Sequence, residues 1–157
     1  MRHRARCTVE ASMTEDRTLS TSRIVPFSPK QIFEAFASAD LLSAWWGPEG
    51  FSSTFETFDF TEGGRWVFVM HGPDGSNYQN DSYFEAIVPD TKIIIRHDCP
   101  PHFTLTVELT PNEDGTYLTW DQVFDDAQTA QAVKQRVGLA NEQNIDRLER
   151  VLSKAVA

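Results

Sequence analysis

Apolar residues in this chain recur in two rhythms: at alternate positions through its middle, and at every third or fourth position toward its end. Arg17 to Val25 alternates weakly and stops at Pro26, which cannot donate to a ladder, so the segment reads as an edge strand. Ser28 followed by Pro29 is a helix start, and Ile32, Phe33 and Phe36 supply one apolar face over about 29–37. Asp40 is expected to cap a second short helix through Leu41, Leu42 and Trp45, which Gly47-Pro48 must end. Arg65 to His71 then places Trp66, Phe68 and Met70 on one face of a strand.

Pro73-Asp74-Gly75 is a turn signal and predicts a hairpin into a strand near 78–88; Pro89-Asp90 turns again into 92–97. The cleanest alternation runs from His102 to Thr110, with Phe103, Leu105, Val107 and Leu109 on one side and Thr104, Thr106 and Glu108 on the other. After a loop over 112–115, Thr116 to Phe124 aligns Leu118, Trp120, Gln122 and Phe124. Asp125 or Asp126 should cap a closing helix that reaches about Ala155. Its stripe is Ala130, Val133, Val137, Asn141, Asn144, Leu148, Val151 and Leu152. Six to seven strands in meander order, two short helices after the first strand and one long helix at the end predict an α+β fold, a curved antiparallel sheet wrapped around that helix.

At 157 residues the chain is long enough for one core, and we assign 17–157 to a single domain. Residues 1–16 lack periodicity and carry several arginines, so they are expected to be a disordered or extraneous leading segment. Lys and Arg number 14 against 23 Asp and Glu, a net charge of -9. That balance opposes nucleic acid as a partner. No apolar run approaches the roughly 18 residues of a membrane span and no secretory leader is visible, which predicts a cytoplasmic protein without membrane insertion. Cys7 and Cys99 cannot make a framework of bridges and read as free thiols.

Adjacent tryptophans ahead of a Gly-Pro turn, Trp45-Trp46-Gly47-Pro48-Glu49-Gly50-Phe51, concentrate aromatic area at a chain reversal, and the Gly63-Gly64-Arg65-Trp66 turn adds another indole. Such a layout suits a concave apolar surface. Three amides stand on faces that are otherwise apolar: Gln122 on its strand, Asn141 and Asn144 on the helix stripe. Each would cost about 1–3 kcal/mol if buried without a partner, so they need water, one another or a ligand, unless the asparagines lie at the helix edge in solvent. The candidate ligand-binding residues are Trp46, Phe51, Trp66, Phe68, Met70, Tyr78, Phe103, Trp120, Gln122, Asn141 and Asn144. Each aromatic or aliphatic member is equally suited to plain core packing.

The element order, the WWGPEGF and GGRW segments, the strand ending in VMHGPDG and the helix carrying Asn144-Ile145-Asp146-Arg147-Leu148 together resemble the START-like superfamily, in the branch of the activator of Hsp90 ATPase C-terminal domain. The resemblance covers about 17–156. It implies a helix-grip fold with a cavity between sheet and long helix, and functions that range from hydrophobic-ligand carriage to chaperone-linked interaction and cyclase-like catalysis; no cofactor is expected. Ser82, Ala86 and Leu139 depart from its usual glycine, glutamate and tryptophan.

His97-Asp98-Cys99-Pro100-Pro101-His102 offers metal-binding side chains, but the spacing matches no standard zinc pattern, and no metal is expected. His97 is a weak candidate for acid–base chemistry if it faces inward; a solvated strand end is the plainer expectation. Asp121, Asp125 and Asp126 are explained by helix capping. Three functions follow. The first is binding of a small apolar or aromatic molecule, by a carrier or a sequestering protein. A cyclase, dehydratase or hydrolase built on the same cavity is second, and a chaperone-linked interaction domain is third. The first strand could also pair with its copy in a homodimer.

Overall fold

The computed structural model describes residues 16–156. Its elements run β1 (Thr18–Val25), α1 (Pro29–Ala37), α2 (Ala39–Trp45), β2 (Ser52–Phe58), β3 (Arg65–His71), β4 (Asn77–Val88), β5 (Lys92–His97), β6 (Phe103–Asn112), β7 (Gly115–Phe124) and α3 (Ala127–Val156). The strands form one seven-stranded sheet in the order β1-β7-β6-β5-β4-β3-β2, antiparallel at every pairing. This is the α+β helix-grip architecture. What was expected of residues 1–16 lies outside the described residues except at Asp16, whose carbonyl accepts from Gln131 Nε2 at 2.8 Å; Cys7 lies outside them as well.

Local chemistry accounts for the element ends. Ser28 accepts from the Gln31 amide while the Gln31 side chain accepts from the Ser28 N–H, a reciprocal cap that starts α1. The cap of α2 is Ser38, not Asp40: the Ser38 hydroxyl accepts from the Leu41 amide, and Asp40 sits inside the first turn. Of the acidic residues near α3, Asp126 caps, accepting from the Thr129 amide at 2.8 Å. Asp125 instead takes a two-pronged contact from Arg96 at 2.8 and 2.7 Å. Capping therefore explains one of that trio.

The strand β2 was missed by the alternation because a bulge between Phe55 and Thr57 sets its inward phenylalanines, Phe55 and Phe58, three residues apart. Its pairing with β3 completes the sheet edge opposite β1.

The core lies between the sheet, α1, α2 and the second half of α3. Phe36, Trp45, Trp66, Phe84, Ile93, Leu118, Ile145, Leu148 and Leu152 are buried there. A smaller cluster of Leu19, Phe124 and Ala130 holds the helix start. Between those two anchors the helix presents Val137, Ala140 and Asn141, small or polar side chains that do not fill the concave face. The sheet and helix part there. No helix among the described residues is long and apolar enough to cross a membrane.

Candidate functional site

The gap encloses about 770 Å³ and opens to solvent beside α3. That is within the usual range for a small-molecule site. Strand register determines its wall. One inward row crosses the sheet as Trp66, Ser82, His97, Phe103 and Phe124, each paired with the next. A parallel row reads Phe84, Ile95, Leu105, Gln122 and Leu19. Polar groups thus sit in the middle of the sheet with aromatic rings on either side.

The floor is a tryptophan cluster, stacked between Trp46 and Trp120 and edge-on between Trp46 and Trp66. Trp46 lies between Trp66 and Trp120, its ring centre 5.0 Å from the first and 5.7 Å from the second. Phe68 stacks on Trp66 at 4.3 Å. The α2 end holds Trp46 in place: Gly47 has φ +97, and a Cβ there would stand 2.8 Å from Met70 Cε. Only glycine turns the chain this way without strain or collision. Arg147 then reaches from α3 to close the turn. Its Nη1 donates to the carbonyls of Trp46, Gly47 and Pro48 at 3.0–3.1 Å, and Nη2 to that of Ala44 at 3.1 Å.

All eleven residues singled out from the sequence reach the cavity wall: Trp46, Phe51, Trp66, Phe68, Met70, Tyr78, Phe103, Trp120, Gln122, Asn141 and Asn144. They are not alike. Tyr78 is 49% exposed and, with Phe51 6.2 Å from it, belongs to the mouth. Asn144 is buried and its Nδ2 donates to the Trp45 carbonyl at 2.9 Å, so half of its amide is committed to holding α2. Asn141 Nδ2 donates to Gln122 Oε1 at 3.0 Å. The asparagines thus do not lie in solvent at the helix edge; they bind the sheet and α2.

His97 is not a solvated strand end. It is 7% exposed, stacks on Phe103 at 4.4 Å between ring centres, and lines the cavity. Pro101 O lies 2.8 Å from Nδ1, and Asn80 Oδ1 lies 2.8 Å from Nε2. Two accepting oxygens ask for a proton on each nitrogen, whereas burial opposes the charged ring and holds the imidazole pKa below 6.5, aided by His102 and Arg96. Turning the Asn80 amide over, so that its NH2 meets Nε2, satisfies a neutral ring at the cost of the bond from Asn80 Nδ2 to the Tyr78 carbonyl. Cys99 Sγ stands 3.6 Å from Nε2. Among the described residues no group of His, Cys, Asp and Glu is arranged to hold a metal.

Asn80, Ser82, Ile95 and Leu105 also line the cavity without having been singled out as ligand contacts. A signal for the first two was present. Tyr78, Asn80, Ser82 and Phe84 share one strand face by period two, so polar residues between two aromatics marked an inward polar spot.

Fold and cavity together define a helix-grip protein of the START-like superfamily. Residues 26–153 match the family described as activator of Hsp90 ATPase homolog 1-like protein, and the chain belongs to that family. Solved structures agree on the fold. A protein from Nitrosomonas europaea superposes with a TM-score of 0.82 at 19% identity, covering 89% of this chain and 96% of its own. One from Arthrobacter aurescens also gives 0.82, at 24% identity over 90% of this chain and 88% of its own. An AHSA1-like protein from Aeromonas hydrophila gives 0.71 at 18% identity, covering 88% and 93%. No match was found among curated proteins.

Proposed function

We propose that this chain binds a small hydrophobic or aromatic molecule in the cavity between sheet and long helix, as a carrier or a sequestering protein. The observation that carries this reading is the cavity of about 770 Å³ with a floor of Trp46, Trp66, Phe68 and Trp120. An apolar guest displacing water from the part-exposed apolar wall, Trp46, Phe51, Met70 and Phe103, gains about 25 cal/mol per Å² of surface buried. The polar wall groups at Gln122 and Asn141 would orient it.

Titration of the full chain with 2-ethylnaphthalene, followed by tryptophan fluorescence, tests the reading. Saturable quenching is expected, and Ala140→Phe, which fills the cavity from the helix side, should weaken it at least about tenfold. Quenching that Ala140→Phe leaves unchanged contradicts the reading.

A second reading rests on His97. A buried, uncharged imidazole on the wall of an apolar cavity is a candidate general base for a cyclase, dehydratase or hydrolase. That reading requires turnover that His97→Gln abolishes while guest binding persists. A chaperone-linked role rests on the family name and would show as stimulation of a partner ATPase.

A further inference from the structure

We infer that the guest is an uncharged molecule whose apolar body carries a carbonyl oxygen, as an aromatic ketone or amide does, and that Gln122 Nε2 donates to that oxygen. This inference rests on the binding function proposed above and narrows it to a ligand class.

The argument starts from unmet hydrogen-bonding capacity. Among the described residues, the unpaired side-chain nitrogen and oxygen atoms sealed from solvent-sized space are Ser53 Oγ, Trp66 Nε1 and Trp120 Nε1. The two indole N–H groups are therefore enclosed within the aromatic floor, among edge-on contacts such as Trp46 on Trp66 and Trp45 on Trp120, and present nothing to a guest. The amide pair differs. Its bond from Asn141 Nδ2 to Gln122 Oε1 uses the Gln122 oxygen and leaves the Gln122 NH2 group and the Asn141 oxygen without protein partners among the described residues. Gln122 is 7% exposed, yet its Nε2 is not among the sealed atoms, so it opens onto the cavity. With Asn141 presenting its NH2 to Gln122, the Gln122 oxygen is taken and its own NH2 is the group left for a guest. A directed N–H donor in an apolar enclosure selects an acceptor.

Charge decides the rest. Arg136 is the one Lys or Arg side chain on the wall among the described residues, and it is exposed at the rim. His97 is buried where a positive charge is disfavoured. A carboxylate placed against Gln122 would lose its hydration with no cation to replace it, inside a chain whose net charge is already -9. A neutral carbonyl incurs far less desolvation.

Three matched probes test this on the full chain by calorimetry or ligand-observed NMR: 2-acetylnaphthalene, 2-ethylnaphthalene and 2-naphthoate. The ketone should bind about fivefold tighter than the hydrocarbon, one neutral hydrogen bond's worth, and the carboxylate at least about fiftyfold weaker than the ketone. Gln122→Leu, near in volume, should erase the preference for the ketone, bringing the ratio of the ketone and hydrocarbon affinities to about one. Equal affinities for ketone and hydrocarbon, tightest binding of 2-naphthoate, or a ketone preference that survives Gln122→Leu each overturns the inference while leaving the binding function intact. Absence of binding by all three overturns both. The wild-type series stands by itself should Gln122→Leu fold poorly.

Discussion

Asn144, in the middle of the long helix, donates from Nδ2 to the backbone carbonyl of Trp45, 2.9 Å away at the end of α2. Both residues are buried. The carbonyl belongs to the last turn of a helix and has no intrahelical partner, so a side chain from another element satisfies it. The bond places Trp45, and with it Trp46, against the sheet, which joins fold stability to the shape of the cavity floor.

Asn144→Leu leaves that carbonyl buried and unpaired. We expect a loss of about 1–3 kcal/mol, read as a lower denaturant midpoint at unchanged slope. A midpoint within error of wild type would show that the bond does not hold α2.

Arg147→Met removes all four donations to the α2 turn while keeping much of the aliphatic stem. The guanidinium is partly exposed, so the expected cost is about 1–2 kcal/mol rather than the full value of a buried charged donor. Hydrogen exchange should quicken at amides 45–51 more than in β6 and β7. Uniform protection across both regions would contradict the account.

His97 sets a pH dependence. Its folded pKa lies below 6.5, with burial the main cause, so the unfolded chain binds more protons in the window between the two values. Stability therefore rises with pH through that window and is lost as pH falls below about 6.5. We expect the melting temperature of wild type to drop more steeply between about pH 7 and pH 5 than that of His97→Gln. Parallel curves would remove His97 as the source.

Arg23 on β1 bonds Glu142, Asp146 and Glu149 of α3 at 3.0, 2.7 and 2.6 Å. These contacts raise its pKa against the opposing effect of burial. Arg23→Met should cost about 1 kcal/mol at low salt and less at high salt, because the Glu142 and Asp146 side chains are about half exposed. A loss that does not diminish with salt would assign the effect to packing.

The sheet was legible wherever side-chain alternation was unbroken. The cavity-facing set of β3, β6 and β7 followed from it because each strand buries one face. The strand β2 was not legible, since the bulge at Glu56 disrupts the period, and Ser38 was passed over as a cap because Asp40 is an equally good capping residue type. Aromatic cavity residues could be chosen from composition and turns. The hydrogen-bond partners could not: Gln122 meets Asn141, and Ser82 lies opposite His97, through strand register and helix placement that no local pattern encodes. His97 itself lies inward because it continues the alternation of Ile93 and Ile95, and the Pro101 carbonyl holds its ring there.

The most direct test of the central claim is the measurement of intermolecular nuclear Overhauser effects between 2-ethylnaphthalene and the full chain. We predict contacts from the naphthalene ring to protons of Trp46, Phe68, Phe103 and Trp120 at once, which only a guest between sheet and helix can make. Contacts confined to the outer face, for instance to Ile24 and Tyr117, or none at saturating probe, would contradict it.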